Sequence, residues 1–180
     1  GFFGVMTPEA RLYIKGDVPV TFRPYLPAAR AAVARLKAQG AEVVVGVTHL
    51  NITEDIALAR EVKGIHLILG GHEHIPIQFL IGSTLILKAG SDAQFLGVVD
   101  LDIVKRGEEV RVYPSWSLVA VRGLPPDPKV KAVVDRHVAA MEKQLGGVIG
   151  RTETELDSRT SSVRTRESAI GNLIADAMRA

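Results

Sequence analysis

Cysteine is absent from the 180 residues, which removes disulfides and thiolate metal ligands as sources of structure or chemistry. A chain without disulfides suits the cytosol or the periplasm equally, so this absence leaves the compartment open. No run approaches the roughly 18 apolar residues that a membrane span needs, and no signal-peptide pattern occurs. Neither sign of charge is in excess. Lys and Arg number 22 against 20 Asp and Glu, a net of +2, and no basic run exceeds a few residues, so no nucleic acid or anionic membrane is demanded as a partner. Internal repeats and low-complexity tracts are missing too. What is present is a chain 47% hydrophobic, enough to pack a core in one domain or in one domain plus part of another. Gly1-Phe2-Phe3-Gly4 already reads as strand and Ala180 lies inside a helical pattern, so the expectation is a piece of a larger protein.

Residues 2–6 read as a short buried strand, followed by an irregular, proline-rich segment. From Pro27 to Gln39 the spacing of Ala29, Ala32, Val33 and Leu36 predicts an amphipathic helix that stops at Gly40. The β-branched run from Glu42 to Thr48 predicts a buried parallel strand, with His49 at its end. Thr53 reads as an N-cap, with Glu54 and Asp55 in the first turn of a helix that stops near Gly64. Ile65–Leu69 is the next strand and ends in Gly70-Gly71-His72-Glu73-His74. This alternation predicts an α/β fold with a parallel sheet, whose ligands gather beyond the carboxyl ends of the strands. From Gln78 onward the pattern reads as antiparallel strands at 78–81, 84–89, 97–104, 110–116 and 118–122. Pro125-Pro126-Asp127-Pro128 marks a boundary. A helix over 130–145, a strand over 148–156, a polar loop over 159–163 and a last helix over 167–179 complete the reading.

The chemistry concentrates at the strand ends. His72 and His74 follow a glycine turn that lets both rings converge while Glu73 points elsewhere, and His49 ends the preceding strand about 4.8 Å away. Imidazole is a ligand for zinc and other first-row metals. Three such rings suit a zinc site on their own, or half of a two-metal site that clamps a phosphoryl group. Carboxylates to complete a two-metal site are wanting: Asp17 lies in a loop, Asp92 in a turn, and Asp55 reads as a helix-start residue. His66, inside a strand, and His137, on a helical apolar stripe, read as packing or hydrogen-bonded residues. Trp116 reads as an inter-strand or domain contact.

Four stretches, VVVGVTHL, HLILGGHEH, KAGSDAQFLGVVDLDI and VRTRESAIGNLIADAM, together resemble the bacterial 5′-nucleotidase family of calcineurin-like metallophosphoesterases, in order and spacing along nearly the whole chain. The resemblance implies the C-terminal half of a metallophosphoesterase domain, a β-sandwich flanked by helices, over residues 1–122. A linker helix over 123–146 would follow, then the start of the 5′-nucleotidase C-terminal substrate-binding domain over 147–180. It implies two divalent metal ions, zinc, manganese or similar, with His49 and His72 on the second and His74 on the first. Arg164 matches an arginine that helps to hold substrate. The Asp-x-His pair, bridging Asp and Asn-His pair of the family belong upstream of residue 1, so no catalytic residue is assigned here and the chain alone is expected to be inactive. The implied parent activity is hydrolysis of nucleoside 5′-phosphates, with 2′,3′-cyclic nucleotides as a second substrate class, by a metal-bound hydroxide. The partner is then a small-molecule nucleotide, and the expected location is periplasmic or extracellular. Two alternatives stand beside it: a hydrolase of this superfamily acting on a sulfur ester, and a non-catalytic interaction module.

Overall fold

The computed structural model describes residues 1–16, 19–107 and 109–180; Asp17 lies outside them. The chain divides into two compact units, Gly1–Leu124 and Pro125–Ala180.

The first unit is built on a five-stranded sheet in the order β1-β2-β3-β5-β4. Its strands are β1 (Phe2–Met6), β2 (Val45–His49), β3 (Leu67–Gly70), β4 (Pro76–Ile81) and β5 (Thr84–Ala89). The first three and β5 run parallel, while β4 pairs antiparallel with β5. The sequence pattern assigns β5 to an antiparallel set; in fact it is parallel to β3 on one side and antiparallel to β4 on the other. Its burial explains the placement, since Thr84 to Lys88 are all buried, as befits a strand covered on both faces.

Helices α1 (Tyr25–Ala38) and α2 (Ile52–Glu61) carry the β1-to-β2 and β2-to-β3 crossovers. They bury Ala29, Val33, Leu58 and Ala59 against Phe3, Val44, Ile68 and Ile86. The N-cap of α2 is Asn51 rather than Thr53. The Asn51 side chain accepts from the Glu54 N–H, and the Glu54 carboxylate accepts from the Asn51 N–H, the reciprocal pair that satisfies two helix-end donors.

Strand alternation sends the neighbouring residues Val45, Leu67 and Leu85 to the opposite face, where Val99 and Leu101 pack on them. Those two belong to β6 (Phe95–Arg106), which forms a long antiparallel ribbon with β7 (Glu109–Ala120). The expected sandwich is thus a five-stranded sheet faced by a two-stranded ribbon on one side and helices on the other. The Trp116 indole N–H donates to Gln78 Oε1, fastening ribbon to sheet, which is the inter-strand role its sequence context suggested.

The second unit holds α3 (Pro128–Leu145), a single-turn helix α4 (Thr160–Val163) and α5 (Ala169–Arg179). Asp127 caps α3 by accepting from the Lys129 and Val130 N–H groups, and Ser168 caps α5 through Gly171. Residues 148–156 form no strand and 160–163 are helical rather than loop. Val148 and Ile149 stand fully exposed, and β-branched residues without a neighbouring strand have no ladder to join. His137 is exposed, not packed.

Candidate functional site

The parallel strands deliver their last residues to one edge. Met6 and His49 are register partners across β1 and β2, and Thr48 and Gly70 across β2 and β3. The Thr7 N–H donates to the His49 carbonyl at 2.8 Å, and the Gly71 N–H to the Thr48 carbonyl at 2.9 Å. Both bonds continue the parallel ladders one residue past the strands, so the glycine turn starts beside the end of β2. A Cβ on Gly71 would sit 3.4 Å from His49 Nδ1, an ordinary contact distance, so the imidazole lies directly against the turn.

His72 then takes a backbone φ of 80°, in the left-handed region that costs a residue with a side chain about 1–2 kcal/mol. This conformation swings its ring beside that of His49. The two centroids are 5.2 Å apart with the rings edge to face at 89°. His74, two residues further on, is exposed. Among the described residues no group of three or more His, Cys, Asp or Glu side chains is disposed to hold a metal ion. The convergence expected of three histidines is thus observed for two of them, His49 and His72. As a pair they suit one ion: bonds of about 2.0–2.1 Å from zinc to imidazole nitrogen place two rings on one tetrahedral centre with ring centres about 5 Å apart.

Behind this pair lies a cluster that motif reading passed over. Lys88, on β5, is fully buried. Its ammonium donates to the Leu50 carbonyl at 2.7 Å and to the Glu73 carboxylate. It also stands 2.8 Å from Asp55 Oδ2, a charge contact whose angles fall outside hydrogen-bond range, which leaves that oxygen without a hydrogen-bond donor. Asp55 Oδ1 accepts from the Thr48 hydroxyl at 2.7 Å. Glu73 Oε1 accepts from the Ile52 N–H at 2.6 Å, at the start of α2. So Glu73 does point away from its flanking histidines, as expected, but into the protein. Asp55 is buried ionic structure rather than a mere helix-start charge.

The two carboxylates differ. Burial pushes the Asp55 carboxyl up, against the pull of Lys88 and Thr48. Burial also raises Glu73, but Lys88 and the Ile52 N–H outweigh it and hold Glu73 below its ordinary value. Gly70 makes room for the cluster, since a Cβ there would lie 2.9 Å from Lys88 Cε and 3.1 Å from Asp55 Oδ2. One signal for this was legible: a lysine inside the apolar strand Thr84–Ala89 must find an anionic partner or leave the core.

The remaining candidates lie elsewhere. His66 Nδ1 accepts from the Val44 N–H at 3.1 Å, a structural role as read. Asp92 sits in a turn at φ 56°. In the second unit Arg164 is the C-cap of α4 and is exposed. Its neighbours Arg159 and Arg166 both reach Asp157, while among the described residues no side-chain partner engages Arg164. The Arg159 guanidinium, with Ser162, holds the Asp157 carboxyl well below the usual range.

Comparisons with known proteins agree with this architecture. No family model matches the chain. The crystal structure of a 5′-nucleotidase precursor from Thermus thermophilus superimposes with a TM-score of 0.75 at 26% identity, over 98% of this chain and 39% of that one. A sulfate thiohydrolase, SoxB, from the same genus gives 0.62 at 26% identity, over 86% of this chain and 28% of that one. In sequence, the trifunctional nucleotide phosphoesterase YfkN of Bacillus subtilis is 27% identical over 98% of this chain, which spans 12% of it. The chain therefore spans well under half the length of these relatives. In α/β fold and in sequence the chain is thus similar to nucleotide phosphoesterases. Among them it is similar along nearly its whole length to 5′-nucleotidases.

Proposed function

We propose that the protein containing this chain is a metal-dependent phosphohydrolase acting on nucleoside 5′-phosphates, and on 2′,3′-cyclic nucleotides as a second class. The observation that carries the reading is the pairing of His49 and His72 at the carboxyl edge of the parallel strands. That edge is where α/β sheets bind their ligands, in a fold similar to that of a solved 5′-nucleotidase precursor. His49 and His72 would hold one divalent ion, zinc or manganese, and His74 would face a second. When bound, such ions supply Lewis acidity and neutralise charge on the phosphoryl oxygens. The chain's own contribution is positional. β2 and β3 fix the spacing of the imidazoles, and the glycine turn brings the His72 ring to His49. Arg164 is proposed to engage the substrate through its planar donor fork. The domain roles expected for residues 1–122, 123–146 and 147–180 form part of this proposal, as does an exported location, periplasmic or extracellular.

A second reading is favoured by the likeness to the sulfate thiohydrolase: the same imidazole pair serving hydrolysis of a sulfur ester. The deciding experiment assays the full-length protein on nucleoside 5′-monophosphates, a 2′,3′-cyclic nucleotide and a thiosulfonate, before and after chelation and refilling with Zn²⁺ or Mn²⁺. Phosphate release from the monophosphates, abolished by chelator and restored by metal, is the expected result. Release of sulfate from the thiosulfonate alone would transfer the assignment to the second reading, and indifference to chelator would refute both.

A further inference from the structure

We propose that Glu73, tied to the buried Lys88, is a positioning residue: the ion pair sets the strained turn that brings the His72 ring to His49. The inference rests on the reading of that pair as metal ligands and adds what holds it in place.

His72 occupies a left-handed conformation, and a residue with a side chain keeps such a conformation only where its surroundings over-determine it. The residue before it is anchored through the Gly71 N–H to the Thr48 carbonyl. The residue after it is anchored twice, by the Glu73 carboxylate on Lys88 and on the Ile52 N–H. Between these two fixed ends His72 is the centre of a tight turn that the Glu73 N–H closes on the Gly71 carbonyl at 3.2 Å. The local bond shapes the turn, and the two ties fix where it sits against β2 and β5.

The anchor itself is rigid. Lys88 has no exposed side-chain surface, and its ammonium is surrounded by the Leu50 carbonyl, Asp55 and Glu73. The two carboxylates divide the work. Asp55 is completely buried and bonded to Thr48, so it neutralises the lysine inside the fold. Glu73 is 20% exposed and belongs to the turn, so its carboxylate transmits the position of β5 and of the α2 N-terminus to the histidines. Groups that orient metal ligands without touching the metal commonly change affinity by about 10- to 100-fold when lost.

The test uses the full chain with Glu73→Gln, which keeps the shape of the side chain and leaves Lys88 neutralised by Asp55. Amide exchange followed by NMR reads the turn without metal. The Gly71 and Ile52 N–H groups are expected to exchange about tenfold faster or more, while the core Leu85 N–H keeps its protection. Zn²⁺ titration, with the metal alone as probe, is expected to show affinity weakened by about 10- to 100-fold. Glu73→Asp, which retains the charge at shorter reach, should fall between variant and wild type. The proposal is overturned if Gly71 and Ile52 exchange as in wild type, or if Leu85 accelerates equally, because the tie would then be absent or merely one more stabilising contact. A His49→Ala/His72→Ala double variant separates the two levels. Zn²⁺ affinity unchanged in it would remove the metal reading, while the exchange data would still judge the tie. Loss of Zn²⁺ in it, with Glu73→Gln binding as wild type, would overturn the positioning role alone.

Discussion

Lys88 shows what a single side chain can demand of its neighbours. Substituting methionine would leave Asp55 buried beside no cation, and breaking a buried pair in this way costs about 3–5 kcal/mol; urea denaturation of Lys88→Met should show a loss of that order. Gly70→Ala tests the same cluster from the other side. Its new methyl would meet Lys88 and Asp55 at under 3.2 Å, and overpacking of this kind costs about 1–3 kcal/mol, again read by denaturant midpoint. His66 supplies a pH dependence. Burial, with Lys37 nearby, lowers its pKa while the ring accepts from Val44. As pH falls, the unfolded chain therefore binds the proton first, near pH 6.5. The stability His66 contributes is complete above that value and is lost as pH drops toward and through its folded value. The urea midpoint should fall between pH 7.5 and 5.5 in the wild type and fall less in His66→Gln. At this scale the sequence is legible where type and spacing coincide: the strand-end positions of His49 and His72 predict neighbouring rings, and the fold sets them side by side. Asp55, Glu73 and Lys88 were not found as a set, because their separations of 18 and 15 residues carry no periodic signal and only the folded sheet brings them together.

Elements were read well where the pattern is local and less well where partners decide. The helix of residues 52–61 announces itself by its acidic first turn, yet its cap was placed at Thr53, since Thr53 and Asn51 are both competent N-caps. Asn51 takes the role because its carbonyl oxygen reaches the Glu54 N–H at 3.0 Å while Glu54 returns the contact. Asn51→Ala should cost about 1 kcal/mol, and more than Thr53→Ala, by thermal denaturation. β5 was recognised as a strand but given the wrong neighbours, because an apolar run fits a parallel or an antiparallel pairing equally. The supposed strand at 148–156 has suitable residues and no partner within its unit. In the turn at 157–166 the Asp157 carboxyl, held down by Arg159 and Ser162, gives support that is complete above the unfolded carboxylate value near 3.9. That support is lost only as pH falls through its own lower value. An NMR titration of its carboxyl carbon should show a midpoint well below 3.9.

The two units differ in what sustains them. Gly1–Leu124 contains both apolar clusters, whereas α3 and α5 bury no residue at all. Val130, Val133, Val134, Met141 and Leu145 on α3, and Leu173, Ile174 and Met178 on α5, are exposed. Helices without a buried face lack the tertiary packing that supplies most helical stability in proteins. Residues 1–124 alone are therefore expected to melt cooperatively by circular dichroism, and residues 125–180 alone to lose helicity gradually with no sigmoidal transition. A cooperative melt of the second piece would contradict this account.

Strand β5 presents five buried residues in a row, Thr84 to Lys88, and a run of that kind could slide by one place against β3 with little change in apolar contact. Lys88 forbids it. Ile86 faces the helices with it, while Leu85 faces the ribbon. A slip of one residue turns every side chain of a strand to the opposite face, so the ammonium would be carried from its two carboxylates into the apolar layer of Val99 and Leu101. The buried lysine is in this sense an alignment mark: it makes one pairing of otherwise interchangeable strands far cheaper than its neighbours, and it does so before any ligand arrives.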